Sequence, residues 1–350
     1  MRGTFCIAMD LSALNKILAN QPAYRLKQIK QAVYLKLIGD WDEATNLPAA
    51  LKQKLKDDCP LGINATETAS GLSRKALIKL SDGALIETVL LYNADGRYTV
   101  CVSSQVGCPL GCLFCATGQG GFERNLTTEE ITEQVIYFAR QLKLENKKID
   151  NVVFMGMGEP LLNWQNVAAA IGLLNDKDGF GLAARSISVS TCGLIEGLKN
   201  IIHYPLQINL AISLHAPNDE LRRELMPIAS SYKLEELFHQ LKLYLKEKGR
   251  KLMFEYVMID GVNDSDQQAK ELVELLEKLP KKLVMVNLIP YNPIITRSGA
   301  ISRRFKASLP EQIKHFKAIL NRSGIETTIR KSLGGDIAGA CGQLAGKRKR

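Results

Sequence analysis

The chain has 350 residues, a formal net charge of +10, 46% hydrophobic residues and 23% charged residues. These values are ordinary for a globular protein of one large domain, alone or with a small one. No apolar run reaches the length of a membrane span, and the N-terminal TFCIAM is too short for a signal-peptide core. We therefore expect a cytoplasmic protein with no membrane association. The positive charge suits a polyanion such as RNA, but a solvated basic surface explains it equally well.

The first part of the chain has a helical period. Leu11, Leu14, Ile17 and Leu18 recur at helical spacing, and similar patterns continue to about Pro60. We predict a small helical domain over residues 1–70. From residue 75 the pattern changes: ALIKL, the turn SDG and ALIETVLLY predict a β-hairpin extension over residues 71–96, and RYTVCVSS predicts another strand.

Strands and helices alternate through residues 97–335. Thr127 and Glu130 form a capping-box pattern that opens a helix, and NVVFMG, SISVST, QINLAISL, KLMFEYVM, KLVMVNLI and ETTIRK are strand candidates. Roughly six β-α units predict an α/β fold with a parallel sheet curled into a TIM-like, partial (β/α)6 barrel. In such barrels the site forms where the strands end. Residues 336–350 are then a C-terminal loop and a basic tail.

Three of the eight cysteines have a distinctive spacing. Cys108, Cys112 and Cys115 form C-x3-C-x2-C directly after a predicted strand. A structural zinc site uses four ligands and usually a second C-x2-C pair, which this chain lacks. Three thiolates suit a 4Fe-4S cluster with one open iron, the arrangement that cleaves S-adenosylmethionine reductively. A zinc-stabilised RNA-binding module and simple structural thiols remain as alternatives.

Conspicuous residues follow the other predicted strands. In GMGEP, the glycines allow close backbone approach, and the carboxylate of Glu159 can take the α-ammonium of the cosubstrate. Ser190, Ser213 and His215 also stand at strand ends, although such residues are ordinarily caps and turns. Their shared placement makes them candidates for cosubstrate binding.

Many motifs occur in order along nearly the whole chain. They are YRLKQIKQAVY, LIETVLL, CVSSQVGCPLGCLFCATG, RNLTTEEI, NVVFMGMGEPLLN, ISVSTCG, NLAISLHAPND, LMPI, GVND, NLIPYNP and DIAGACGQL. With them the chain resembles the RlmN/Cfr family of radical S-adenosylmethionine RNA methyltransferases. The resemblance implies a radical SAM barrel and an N-terminal domain that helps to hold RNA, with the target base flipped toward the barrel.

The resemblance also implies that Cys101 and Cys341 are catalytic and lie outside the cluster. In the family, one S-adenosylmethionine methylates the counterpart of Cys341, and a second yields a radical that activates this methyl group for addition to an adenine carbon. The counterpart of Cys101 then forms a disulfide with that of Cys341 and releases the base, while that of Glu87 removes the ring proton. From the residues alone, Cys101 is a buried strand cysteine and Cys341 a stray thiol.

Further expectations come from the same resemblance. The cosubstrate contacts it implies are Gly158, Glu159, Ser190, Ser213, Leu214, His215 and Asn292. Pro160 and IPYNP favour the branch that methylates C2 of an adenine in 23S rRNA and of the adenosine next to the tRNA anticodon, over the C8 branch linked to antibiotic resistance. Gly335 and Gly339 depart from the family pattern near Cys341. We expect a monomer that receives electrons from a flavodoxin or ferredoxin.

Some residues have no assigned role. Cys6, Cys59 and Cys192 match no family function and are interpreted as structural thiols. Candidate RNA-contacting clusters are Arg25 with Lys27 and Lys30, Arg222 with Arg223, and Arg303 with Arg304. Each of these clusters is more often a solvated surface than a contact.

Overall fold

The computed structural model describes residues 11–294, 302 and 304–346. Its strands are β1 (Ala65–Ser70), β2 (Ser73–Lys79), β3 (Leu85–Tyr92), β4 (Tyr98–Cys101), β5 (Gln105–Gly107), β6 (Phe122–Asn125), β7 (Asn151–Phe154), β8 (Ile187–Thr191), β9 (Asn209–Ser213), β10 (Leu252–Met258), β11 (Val284–Pro290) and β12 (Glu326–Ile329). Its helices are α1 (Leu11–Leu18), α2 (Tyr24–Lys30), α3 (Ala49–Asp58), α4 (Ala116–Gly120), α5 (Thr128–Leu144), α6 (Trp164–Asn175), α7 (Ile195–His203), α8 (Asp219–Leu225), α9 (Leu234–Lys248), α10 (Asp266–Leu276) and α11 (Pro310–Arg322).

A ten-stranded sheet in the order β1-β2-β3-β4-β7-β8-β9-β10-β11-β12 forms the framework. The pairs from β1 to β4 are antiparallel, and every later pair is parallel. The units β4-α5, β7-α6, β8-α7, β9-α9, β10-α10 and β11-α11 are the six that the alternation predicts. Among the described residues β12 has one neighbour, so the barrel stays open. The predicted partial (β/α)6 barrel is confirmed.

Two parts of the fold differ from the sequence pattern. The helical region ends at α3, and residues 65–70 form the edge strand β1 instead of continuing the predicted helical domain. Strands β5 and β6 form an unpredicted two-stranded sheet around the cysteines. Helix α5 begins as predicted, because Thr127 and Glu130 cap each other's backbone N–H groups. No helix in the described ranges combines the length and the apolar character that a bilayer span needs.

The helical region is attached to the barrel through α5. Helices α1 to α3 enclose their own apolar core around Trp41, whose indole donates to the carbonyl of Cys59 at 2.7 Å. Ile136 of α5 belongs to this core. From the same helix, the guanidinium of Arg140 donates to the carbonyl oxygens of Leu61 (2.8 Å) and Ile38 (2.5 Å). One helix therefore serves both the barrel and the helical region.

We predict that Arg140→Met loosens the helical region from the barrel. The substitution leaves two carbonyl groups without their donor, which costs about 1–3 kcal/mol for each buried one. Native-state hydrogen exchange should show faster exchange over residues 11–61 and unchanged exchange in β7 to β10. Lys148→Met, an exposed change near the end of α5, is the control. Equal protection in both variants would contradict this role of Arg140.

Candidate functional site

The loop after β5 carries three thiols into an apolar pocket. We call residues 108–116 the cysteine loop. Cys108 and Cys112 are buried and Cys115 is half-buried. Apolar side chains from other elements surround them: Leu225, Met226, Val257, Ile259 and Tyr291. Backbone hydrogen bonds fix the loop, from Cys108 N to Gly121 O (2.9 Å) and from Leu113 N to Leu225 O (3.0 Å).

The close packing of the loop depends on a glycine. Gly107 has a φ of +76°, and a Cβ there would lie 2.0 Å from the carbonyl oxygen of Gly121. Only glycine therefore allows β5 to turn into the cysteine loop at this point. Any side chain at this position would push the loop away from residues 121–122 and displace the three thiols.

The donor set fits a 4Fe-4S cluster. Burial is the main cause that raises the pKa of the Cys108 and Cys115 thiols, so thiolates there need a bound cation to offset the cost of desolvation. The apolar surroundings would shield a cluster from water, and three ligands leave one iron open. Within the described ranges, no three His, Cys, Asp or Glu side chains are placed to share a single metal ion.

His215 packs against Phe114 of the cysteine loop. Their rings meet edge to face, with centroids 4.7 Å apart. Burial lowers the pKa of His215 to about 3, so the imidazole is neutral. Its Nδ1 accepts the backbone N–H of Val257 at 3.1 Å, which assigns the proton to Nε2. His215 is therefore a neutral donor at the end of β9.

The turn after β7 lies tightly against the strand β5. A Cβ on Gly158 would come within 2.5 Å of Gln105, and the residue has a φ of +99°. The carboxylate of Glu159 is 3% exposed and accepts the backbone N–H groups of Leu161 (3.0 Å) and Cys192 (2.9 Å). Burial raises the pKa of Glu159. Glu159 thus links the ends of β7 and β8. The predicted contact with the ammonium group of the cosubstrate would add to these two backbone contacts.

The predicted residues of β8 and β9 also meet. The hydroxyl oxygens of Ser190 and Ser213 are 3.3 Å apart. The backbone N–H groups of Leu214 and His215 share the carbonyl oxygen of Glu255, at 3.1 and 3.3 Å. The ends of β7, β8 and β9 therefore form one continuous edge beside the cysteine loop.

The structure brings Cys341 to the same edge. Cys341 is exposed as a residue, yet the protein atoms around its thiol desolvate it and raise its pKa to about 11, and the charge of Glu255 acts in the same direction. Cys115 and Arg330 are also within electrostatic range of this thiol. Burial raises the pKa of the Cys101 thiol at the end of β4. The negative charge of a Cys341 thiolate nearby raises it further. Two thiols far apart in sequence are thus neighbours beside the cysteine loop.

The segment that carries Cys341 is held by hydrogen bonds from three parts of the fold. We call residues 334–346 the C-terminal segment. The cysteine loop donates from Ala116 N to Gly342 O (2.7 Å), and the amide of Asn292 donates to Cys341 O (3.2 Å). From the hairpin, Lys75 donates to Ala338 O at 3.2 Å. Asn292, a predicted cosubstrate contact, is therefore in this structure a partner of the catalytic-cysteine candidate.

Glu87 contacts the end of the C-terminal segment. One carboxylate oxygen pairs with Lys75 at 2.9 Å, and the other accepts the backbone N–H groups of Ala345 (2.7 Å) and Gly346 (3.2 Å). Its predicted role as a base toward the adenine ring requires these backbone partners to move. In the conformation described here, Glu87 positions the C-terminal segment.

A series of hydrogen-bonded, buried polar side chains near Cys341 was not predicted from the sequence. Asn287 donates to Glu255 at 2.7 Å and accepts from Thr328 at 2.7 Å, which joins β10, β11 and β12 inside the barrel. Burial raises the pKa of Glu255. The sequence does contain a hint of this arrangement, since Glu255 is the single carboxylate in the otherwise apolar strand LMFEYVM. A buried acid in such a strand needs hydrogen-bond partners.

One further assignment needs correction, and one cysteine without an assigned role has a notable neighbour. Arg222 is fully buried on α8, so the predicted Arg222–Arg223 RNA contact is wrong for Arg222; Arg223 is exposed. Cys192, interpreted as a structural thiol, lies with its thiol against that of Cys112. Cys6 and Arg303 lie outside the described residues.

We predict that Glu255→Gln makes Cys341 more reactive. The negative charge of Glu255 helps to raise the pKa of Cys341, so its removal increases the thiolate fraction at a fixed pH. Alkylation of Cys341 by iodoacetamide at pH 8, followed by peptide mass spectrometry, should accelerate about two- to tenfold. Glu326→Gln, an exposed change on β12, is the control and should leave the rate unchanged. A rate unaffected by Glu255→Gln would show that this carboxylate does not act on the thiol.

Comparisons with known proteins agree on one family. The model of the radical SAM superfamily matches residues 102–276. The probable dual-specificity RNA methyltransferase RlmN of Symbiobacterium thermophilum is 40% identical, over 98% of this chain and 91% of that protein. The dual-specificity RNA methyltransferase RlmN of Halorhodospira halophila is 43% identical, over 93% of this chain and 88% of that protein. The crystal structure of a radical SAM methyltransferase from Sphaerobacter thermophilus superposes with a TM-score of 0.89 at 42% identity, over 97% of this chain and 99% of that one.

Each of these three relatives matches at least 93% of the chain, well beyond the residues 102–276 that the superfamily model matches. The alternative of a zinc-stabilised binding module is therefore wrong, and the family resemblance is confirmed. The chain belongs to the RlmN family of dual-specificity RNA methyltransferases, within the radical SAM superfamily.

Proposed function

We propose that this protein methylates C2 of an adenine in the peptidyl-transferase region of 23S rRNA and of the adenosine next to the tRNA anticodon. The observation that carries the proposal is the place of Cys341: the hydrogen bond from Ala116 N to Gly342 O (2.7 Å) holds it beside the cysteine loop, and its thiol is within electrostatic range of Cys101 and Cys115. An ordinary methyltransferase needs neither a pair of free thiols nor a three-cysteine loop. A methyl-carrying thiol, a resolving thiol and a cluster site at one edge of a barrel suit radical methylation.

The cysteine loop is the proposed cluster site. Cys108, Cys112 and Cys115 would hold one 4Fe-4S cluster, which when bound supplies the electron that cleaves S-adenosylmethionine. The edge formed by Gly158, Ser190 and Ser213 would position the cosubstrate, and the neutral His215 would donate a hydrogen bond from Nε2. Glu159 holds this edge together. Two S-adenosylmethionine molecules would be used in each turnover, one as methyl donor and one as radical source.

Cys341 is the proposed carrier of the methyl group. Its sulfur must be a thiolate to attack the first cosubstrate, whereas burial and Glu255 favour the protonated thiol. Arg330 opposes them and stabilises the thiolate. A sulfonium cosubstrate bound nearby would act in the same direction as Arg330, because it also brings positive charge. The thiol would therefore become nucleophilic when its substrate is in place.

Cys101 is the proposed resolving thiol, and Glu87 the proposed base. A methyl carbon on Cys341 that has added to the adenine ring joins protein to RNA. Attack of the Cys101 thiolate on the sulfur of Cys341 would form a disulfide and break the bond between that sulfur and the methylene carbon. Glu87 would accept the ring proton, the freed methylene carbon would take up a proton to become the methyl group, and the single electron left by the adduct radical would pass to the flavodoxin or ferredoxin. Both oxygens of Glu87 have partners in this conformation, so release of Ala345 and Gly346 is part of the proposed sequence of steps.

The remaining partners follow from the same proposal. The helical region and the basic charge of +10 would help to hold RNA, a polyanion whose contacts weaken with salt. A flavodoxin or ferredoxin would deliver the electron, and the protein would act as a monomer. The second candidate is methylation at C8 of the same rRNA adenine. Pro160 and the sequence IPYNP favour C2.

Nucleoside analysis tests the proposed function. RNA from cells with and without the gene is separated into rRNA and tRNA, digested and analysed by mass spectrometry. We expect 2-methyladenosine in both fractions only when the gene is present, and a Cys341→Ala variant should not restore it. New 8-methyladenosine would assign the chain to C8 chemistry. Full methylation by Cys341→Ala would rule out the methyl-carrier mechanism.

We predict that Cys101→Ala traps the protein on its RNA. The variant retains the three cysteines of the cluster site and Cys341, so it should bind iron normally and form the adduct but not resolve it. Denaturing gel electrophoresis should show an RNase-sensitive, covalently linked species and less than one methylation per protein. The double variant Cys101→Ala, Cys341→Ala is the control and should form no adduct. Loss of iron in Cys101→Ala would instead place Cys101 among the cluster ligands.

A further inference from the structure

A buried arginine stands beside the cysteine loop. Arg222 on α8 is 1% exposed. Its Nη2 donates to the carbonyl oxygen of Cys192 at 2.6 Å and its Nη1 to that of Tyr232 at 3.4 Å, while Nε has no partner. Within the part of the chain that the structure describes, no carboxylate lies within ion-pairing distance of this guanidinium. Asp219 acts on it only from a greater distance.

Such an arrangement is costly unless an anion is present. Moving a charged group out of water costs several kcal/mol even after relaxation of the protein, and neutral carbonyl partners compensate only in part. Burial lowers the pKa of Arg222, but an arginine side chain stays protonated in proteins. The fold therefore keeps a positive charge in a buried region where, among the described residues, no carboxylate forms an ion pair with it.

The cysteine loop lies beside Arg222 and would carry negative charge when a cluster is bound. Helix α8 packs against this loop, since Leu225 accepts the backbone N–H of Leu113 and also belongs to the apolar cluster around Cys112. Cys112 and Cys192 are both within electrostatic range of Arg222. The thiol of Cys192 lies against that of Cys112, and its carbonyl accepts from Arg222. Cys192 thus connects Arg222 to Cys112, through its carbonyl on one side and its thiol on the other.

We propose that Arg222 is the counter-charge of the cluster held at the cysteine loop and makes its one-electron reduction easier. This inference rests on the proposed cluster. A 4Fe-4S cluster with three thiolate ligands is anionic, and reduction adds one more negative charge. A fixed positive charge in a low-dielectric site stabilises the reduced state more than the oxidised one. Arg222 does not touch the reacting atoms and is a positioning residue.

The experiment compares charge removal with charge retention. Arg222→Gln removes the charge but keeps an N–H donor for the carbonyl of Cys192, whereas Arg222→Lys keeps the charge. Arg223→Gln makes the same change on the exposed side of α8. Each full-length variant is reconstituted with iron and sulfide under anaerobic conditions. Iron content is measured, and the midpoint potential is determined by redox titration followed by electron paramagnetic resonance.

We expect Arg222→Gln to lower the equilibrium constant for one-electron reduction at least tenfold, which corresponds to a midpoint potential more negative by about 59 mV. Arg222→Lys and Arg223→Gln should remain close to the unsubstituted protein. A loaded Arg222→Gln variant with an unchanged potential would overturn the proposal.

Loss of the cluster also gives a decisive result. If Arg222→Gln cannot hold iron while Arg222→Lys can, the positive charge is needed by the anionic cluster, and the proposal is supported. If both variants lose iron, the guanidinium acts through its hydrogen-bond geometry, and the proposal is wrong. An unsubstituted protein without iron would instead refute the proposed cluster site itself, so the two failures are distinguishable.

Discussion

Burial of thiols at one edge of the barrel is the constraint on which the rest of the site depends. A thiol removed from water resists ionisation, as the raised pKa values of Cys101, Cys108, Cys115 and Cys341 show. The same burial excludes solvent from reactive intermediates. Each thiol therefore needs a local source of positive charge before it can act as a thiolate. Bound iron would provide this charge for the cysteine loop, and Arg330 with a sulfonium cosubstrate for Cys341.

The C-terminal segment joins the parts that the chemistry requires. It contacts the hairpin through Lys75 and Glu87, the cysteine loop through Ala116, and the loop after β11 through Asn292. These contacts are backbone-directed hydrogen bonds on a segment that is only partly buried, and such bonds open at a lower cost than those of the core. The segment can thus be ordered when Cys341 faces the barrel and still move during a catalytic cycle.

The barrel and the cysteine loop could be predicted from the sequence, because apolar strands alternate with amphipathic helices and the C-x3-C-x2-C spacing is local. The rest depends on three-dimensional packing. Strand β1 (ATETAS) is polar and mostly exposed, so it has no apolar alternation to detect, and it is recognised only by its pairing with β2. Arg222 and Arg223 look alike in sequence, and only the rotation of α8 decides which one is buried. Glu255 could be noticed, but not its position beside Cys341.

Helix α5 has a mechanical consequence. Its residues contribute to the barrel core and, through Ile136, to the core around Trp41, and Arg140 ties both regions together. These contacts of α5 with both cores restrict movement of the helical region relative to the barrel. An RNA that touches both must bring its target base to a set distance from the rest of its fold. Selection among RNAs would then depend on their shape as well as on the base.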